Sequence, residues 1–332
     1  MSYQNLKARL DQGDVIYLDG AVGTQLQAMG VPLDPYCWAA IANDTHTYTV
    51  RKMHEDYIRA GVDVITTNTY SAARHNYELV GLADRVIEMN LRAVVLAQEA
   101  RERVAEKPVY IAGAISNFGG WTEEQNARLF AKNTYKQRGT DYGFRTHSIV
   151  TPAQVRRNLC DQADMLAEAG VDFIMAEATG NAEQREWVLE AAASVGMPFW
   201  AGFKCHVNEG ETAVLSGYAS DSLLADELEA RLPLNCDVLN IFHSNIEDTS
   251  KALPIVKEKW SGAMGAYPEA GRRDYVQTSA NPNVANVYSP DEYVSIAQGW
   301  VEQGVQVIGG CCGMGLPYVK ALAGKLPEQV PS

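Results

Sequence analysis

The residues of this chain best suited to chemistry are two cysteines side by side between glycines, Gly309-Gly310-Cys311-Cys312-Gly313. Apolar filling of a core explains one buried thiol well, but two adjacent thiols cannot both face a core, and a vicinal disulfide is strained. Metal binding suits both. Two thiolates on a flexible turn can grip one Zn²⁺ at about 2.3 Å each, with a third ligand from another strand and a fourth position open to substrate. A substrate thiol in that position is deprotonated at neutral pH and becomes a nucleophile without a general base. The other four cysteines, Cys37, Cys160, Cys205 and Cys236, show no tight spacing. The first residues, MSYQNLKARLDQGD, contain no apolar leader, so a cytoplasmic chain without a disulfide framework is expected.

Elements must position those thiols. Of the 332 residues, 46% are hydrophobic and 21% charged, ordinary globular usage that supports a large core. The net charge of −13 argues against phosphate neutralisation and hence against nucleic acid as partner. No apolar stretch is long enough to span a membrane. Eight short β-branched or aromatic runs, at 15–19, 62–67, 109–114, 171–177, 198–204, 237–242, 263–267 and 305–310, alternate with segments of helical apolar spacing. Three runs share a preface ending in glycine (Gly61, Gly170 and Gly304), which fits the left-handed residue that stops a helix before a strand. Eight nearly continuous apolar strands with helices between them predict a single (β/α)₈ barrel over residues 1–332. A doubly wound sheet would show GxGxxG after its first strand, where this chain has Asp19-Gly20-Ala21-Val22-Gly23-Thr24.

Barrels place their chemistry at the C-terminal strand ends. Those ends are unusually polar here. They carry Asp19; Thr66, Thr67, Asn68, Thr69 and Tyr70; Glu177; Lys204, Cys205 and His206; His243; and the paired cysteines. Each has a blander account: Asp19 as a helix cap, threonine and asparagine as turn residues, Glu177 paired with Lys204. Long loops are expected at 118–151 and 268–290, on the same face. They bring Tyr135, Tyr142, Phe144, Arg145 and His147 on one side and Tyr267, Arg272, Arg273, Tyr275 and Tyr288 on the other. Such side chains suit a donor bearing both an onium group and a carboxylate, or they simply pack the loops down.

Several stretches resemble the homocysteine S-methyltransferase family, which includes betaine–homocysteine methyltransferase and S-methylmethionine-dependent enzymes. They are LDGAVGTQLQAMG (18–30), AGVDVITTNTYSA (60–72), AGVDFIMAEA (169–178), MPFWAGF (197–203), AYPEAG (266–271) and VIGGCCGMGLP (307–317). They follow the family's order along nearly the whole chain. The resemblance implies a zinc-dependent barrel with Cys311 and Cys312 as zinc thiolates. It implies that Asp19, Gly20 and Glu177 bind the amino end of an amino-acid acceptor, with Thr67 and Asn68 beside it. It also implies that Trp38 lies near the reacting centre, where an indole face could hold a cationic donor.

One position breaks the pattern. The family's third zinc ligand is a cysteine in a GxNC segment ending the sixth strand. Matching Asn240 to that asparagine puts Ile241 in the cysteine's place. His243 stands two residues on, on the same side of an extended strand, and is the expected replacement in a Cys₂His site. Loss of the metal, or recruitment of Cys205 or Cys236, remain alternatives. Other departures are Ser116-Asn117, Ala178, Glu269, Arg272 and the Lys204-Cys205-His206 run.

The expected activity is zinc-dependent transfer of a methyl group from a sulfonium or quaternary ammonium donor to a thiol acceptor such as homocysteine. Two alternatives stand beside it: an enzyme of this fold with changed substrates and His243 as an acid–base group, or a non-catalytic binder of a methylated metabolite.

Overall fold

The computed structural model describes residues 2–120, 150–217, 222–231, 235–272 and 287–331. Eight parallel strands form one sheet: β1 (Ile16–Tyr17), β2 (Val64–Thr66), β3 (Tyr110–Ser116), β4 (Phe173–Ala178), β5 (Phe199–Phe203), β8 (Val238–Phe242), β9 (Ala263–Tyr267) and β10 (Val305–Ile308). Between β5 and β8 a small antiparallel hairpin, β6 (Cys205–His206) with β7 (Leu215–Ser216), stands apart from that sheet. The order β1-β10-β9-β8-β5-β4-β3-β2 brings the first two strands to opposite ends of the hydrogen-bonded row. A parallel bridge between Leu18 and Val64, with Asp19 N donating to Val64 O at 3.0 Å, joins those ends. The sheet is a (β/α)₈ barrel. Each of the eight runs expected to form a strand holds one, with ends displaced by at most two residues.

Side chains alternate across the wall as strand geometry requires. Ile16, Leu18, Val64, Tyr110, Phe173, Trp200, Val238, Phe242 and Val307 form the inner cluster. Ile65, Ile111, Ile174, Ala201, Leu239, Ile241 and Ala266 pack in the outer cluster with residues of the surrounding helices, such as Val94, Leu159, Val188 and Val256. Gly61, Gly170 and Gly304 take the left-handed conformation expected where a helix gives way to a strand, with φ of 99°, 84° and 102°. The loops at the strands' C-terminal ends run into helices that begin with capping boxes, Thr151 with Gln154, Asn181 with Gln184 and Ser289 with Glu292. Each box satisfies two exposed backbone donors and so pins where a rim loop ends. Among the described residues no helix is long and apolar enough to cross a membrane. Tyr135, Tyr142, Phe144, Arg145, His147, Arg273 and Tyr275 lie outside the described residues.

The opposite end of the barrel is stoppered. Tyr3, Leu6 and Leu10 of the first helix (Tyr3–Asp11) join the inner cluster. Trp200 Nε1 donates to Tyr3 Oη at 2.9 Å, and Tyr3 Oη donates to Asp237 at 2.8 Å. The mouth is therefore the end left for chemistry. Tyr3→Phe strands the buried indole N–H, and an unsatisfied buried donor costs about 1–3 kcal/mol. Urea unfolding of this variant should show a loss of that order with catalytic rates unchanged; full stability would refute the stopper account.

Candidate functional site

The turn after β10 is glycine-rich because neighbouring backbone leaves no room. A Cβ on Gly309 would lie 2.8 Å from the Cβ of Leu18 and 2.9 Å from the carbonyl oxygen of Asp19, and one on Gly310 would lie 2.5 Å from the Cβ of Met314. Gly313 has φ of 80°, which a side chain would strain. The cysteines between them are tied down by backbone hydrogen bonds. Cys311 N donates to Pro268 O at 2.7 Å, Ala270 N donates to Cys312 O at 2.9 Å, and Gly313 N donates to Thr24 Oγ1 at 2.9 Å.

His243 meets them from β8. Its Nδ1 lies 3.1 Å from Cys311 Sγ and 3.6 Å from Cys312 Sγ, and the two sulfurs are 3.9 Å apart. Tetrahedral Zn²⁺ with thiolate and imidazole ligands spaces its donor atoms by roughly 3.5–3.8 Å, so the set fits such an ion with small adjustments. Among the described residues these three are the group able to hold a metal; neither Cys205 nor Cys236 belongs to it. Cys236 precedes β8, at the stoppered end. The route by which His243 arrives corrects the sequence argument. Ile241 packs in the outer cluster, and strict alternation would send residue 243 outward with it. His243 instead adopts φ of 49° just past the strand, which turns its ring into the mouth. A left-handed non-glycine residue costs about 1–3 kcal/mol and persists where its surroundings impose it.

The three groups share protons. The Cys312 thiol is pulled down to about 5, chiefly by the hydrogen bond from Cys311 and further by His243. Cys311 is pushed well up, by that same hydrogen bond and by burial. Burial alone would lower His243, but the charge and hydrogen bond of Cys312 outweigh it and raise it. Cys312 and His243 thus each favour the other's charged form.

Two carboxylates face the same space. Asp19 is 2% exposed and accepts from Thr66 N at 2.7 Å and Thr66 Oγ1 at 3.0 Å. Burial pushes it up to about 7 despite those donors. Glu177, 8% exposed, is pushed up to about 8, again by burial, with partial relief from His243. Gly20 sits where a Cβ would come 2.3 Å from Met314 O, so its value is close backbone approach. Tyr70 stands with its ring centroid 5.6 Å from Phe118 and 6.4 Å from His243.

Thr67 and Asn68 are spent on backbone rather than pointing free. Thr67 Oγ1 accepts from Ala114 N at 3.2 Å and pairs with Thr69 Oγ1 at 2.7 Å. Asn68 Nδ2 donates to Ala39 O at 2.8 Å and to Asn43 Oδ1 at 2.9 Å, bracing the segment that carries Trp38. Trp38 itself has φ of 48° and packs over Gly23, where a Cβ would come within 2.0 Å of the indole nitrogen. Asn117 Oδ1 accepts from Thr179 N at 3.0 Å and Gly180 N at 3.2 Å, tying the β3 loop to the segment after Glu177. The Lys204 ammonium donates to the His243 carbonyl. The sequence reading missed Thr24, Pro268 and Ser244 as supports of this site, although Thr24 lies within the LDGAVGTQL stretch.

The profile of the homocysteine S-methyltransferase family matches residues 16–326. The chain belongs to that family. Homocysteine S-methyltransferase 4 of Zea mays is 25% identical over 96% of this chain and 91% of its own length. The homocysteine S-methyltransferase of Escherichia coli K12 is 26% identical over 94% and 96%, and the selenocysteine methyltransferase of Astragalus bisulcatus is 26% identical over 90% and 89%. The metallated form of the Escherichia coli homocysteine methyltransferase MmuM superposes with a TM-score of 0.70 at 22% identity, covering 96% of this chain and 98% of that one, which shows the shared fold. This family member is a methyltransferase with a His/Cys/Cys cluster able to hold a metal at its mouth.

The buried acids generate a pH dependence. Asp19 and Glu177 titrate above an ordinary carboxyl, so between about pH 4 and 8 these two groups hold more protons in the folded state than in the unfolded state. Their contribution to stability therefore falls as pH rises through that window, while Cys312, held down to about 5, and His54 and His75, held down to about 4, contribute in the opposite sense. Melting of the metal-free parent and of Glu177→Gln at pH 5.5 and 8.5 isolates the Glu177 contribution: relative to the parent the variant should lose less stability, or gain more, across that interval, and an identical change in both would contradict the burial argument.

Proposed function

We propose that this chain is a zinc-dependent S-methyltransferase that moves a methyl group from a sulfonium or quaternary ammonium donor to the thiol of homocysteine, forming methionine. We take residues 1–332 as one such barrel domain working in the cytoplasm, where thiols stay reduced. The observation that carries this reading is the convergence of Cys311, Cys312 and His243, with donor atoms within 4.8 Å of one another and each side chain part-exposed. Two thiolates and an imidazole suit Zn²⁺, whereas Mg²⁺ and Ca²⁺ favour oxygen donors. Cys311, Cys312 and His243 would hold Zn²⁺, and the chemistry it would supply there is a lowered pKa for an acceptor thiol, favouring the thiolate near neutral pH.

The remaining work falls to the rim. Asp19 and Glu177 match the ammonium of an amino-acid acceptor, whose positive charge restores the ionisation that burial opposes. Gly20 lets backbone approach closely, and Thr67 and Asn68 hold the loop beside the acceptor. Trp38 offers an indole face to the cationic donor. The acceptor sulfur contributes the electron pair of the new S–C bond. The donor's bond to the methyl carbon breaks with its pair left behind, releasing a neutral thioether or tertiary amine. Alignment of sulfur, methyl and leaving atom is the main service such a site performs. No proton moves at the reacting carbon, so His243 has no task as an acid or base, and ligation is the role assigned to it.

Zinc quantitation combined with a product screen of homocysteine against sulfonium and betaine donors tests this reading. One zinc per chain is expected, with Cys311→Ser and His243→Ala losing metal and at least about 100-fold in rate. His243→Cys should keep the metal, whereas adding Ile241→Cys to His243→Ala should not restore it. Unaltered methyl transfer by Cys311→Ser, or full zinc in His243→Ala, would overturn the assignment.

A further inference from the structure

A buried ammonium is costly unless its charge is used. Lys204 is 3% exposed. It follows β5, where Phe203 packs in the outer cluster and a Cβ on Gly202 would run into Phe242 and Tyr267 inside, so alternation sends the lysine stem into the mouth. There its Nζ donates to the carbonyl oxygen of His243. The amide on the other side of His243 is also held, donating to Tyr267 O at 3.3 Å. The next residue is fixed as well: Ser244 Oγ accepts from Cys205 N at 2.9 Å and donates to Phe242 O at 2.9 Å, and Ser244 O accepts from Glu269 N at 2.9 Å. Both peptide planes flanking the His243 Cα are therefore clamped. Those planes define the left-handed φ of 49° that aims the imidazole at the cysteine pair.

We propose that Lys204 is a positioning residue of the metal centre: its ammonium grips the His243 carbonyl and so keeps Nδ1 presented to Cys311 and Cys312. The proposal rests on the reading of His243 as a ligand. Lys204 and His243 follow β5 and β8, which pair side by side in the sheet, and on this account they form one device. The histidine arrives by an unfavourable backbone conformation, and the lysine holds it there. Partners that orient a ligand in this way commonly contribute 10- to 100-fold to metal affinity.

The test is Co²⁺ binding under chelator competition, with visible absorption spectra, for the unaltered protein, Lys204→Met, Lys204→Arg and His243→Ala, alongside melting of the metal-free forms. Lys204→Met should bind Co²⁺ about 10- to 100-fold more weakly, with a spectrum shifted toward that of His243→Ala. Lys204→Arg, which keeps a cationic donor, should recover part of the loss. If Lys204→Met binds like the parent while His243→Ala is weakened, the proposal fails and the ligand assignment stands. If His243→Ala also binds like the parent, the ligand assignment fails and takes the proposal with it. A lower melting temperature with unchanged affinity and spectrum would mark Lys204 as merely structural and overturn its positioning role. Should Lys204→Met not fold, Lys204→Gln carries the same comparison.

Discussion

The close approach of β10 to β1 is the constraint on which the site depends. Gly309 N donates to Ala266 O, and Gly310 N donates to the carbonyl of Asp19, while the space at both glycines is already filled by Leu18, Asp19 and Met314. Backbone packed this tightly leaves the two cysteines no choice of direction except into the mouth. The same contact fixes Asp19, whose carboxylate then receives the Thr66 donors from β2. Three strands are thus registered by one seam. Side chains larger than hydrogen at that seam would separate the thiols from the acid as well as from each other.

The electrostatics follow from how dry that mouth is. Two carboxyls and two thiols lie in one small space, and burial opposes charge on most of them. Full ionisation of those groups would need more positive charge than His243 and the Lys204 ammonium supply. A divalent ion and an ammonium-bearing substrate are the two cations that would complete it.

Much of this was legible in the sequence, for identifiable reasons. Strands buried on both faces read as unbroken apolar runs, and glycine at helix ends marks the turn into each strand, so the barrel could be counted. The cysteine pair announced itself because adjacent thiols lack a good packing explanation. The structure brings His243 to the cysteine pair by another route than alternation beside Ile241: the ring reaches it through a left-handed backbone that residue types do not reveal. Likewise Asn68 could be placed near the acceptor, but not the direction of its amide, which is set by the carbonyl of Ala39 from a distant loop. The β6–β7 hairpin escaped notice because strands of two residues carry no periodicity.

Two of the three candidate ligands come from one turn and the third from another element. Cys311 and Cys312 share a clamped backbone, so the first two bonds to an ion cost little further ordering, in the manner of a small chelate. His243 closes the site alone. An ion held by these residues would have two of its three protein ligands on one backbone, and its retention would rest on the third. Three protein ligands would also leave such an ion a fourth position for a substrate.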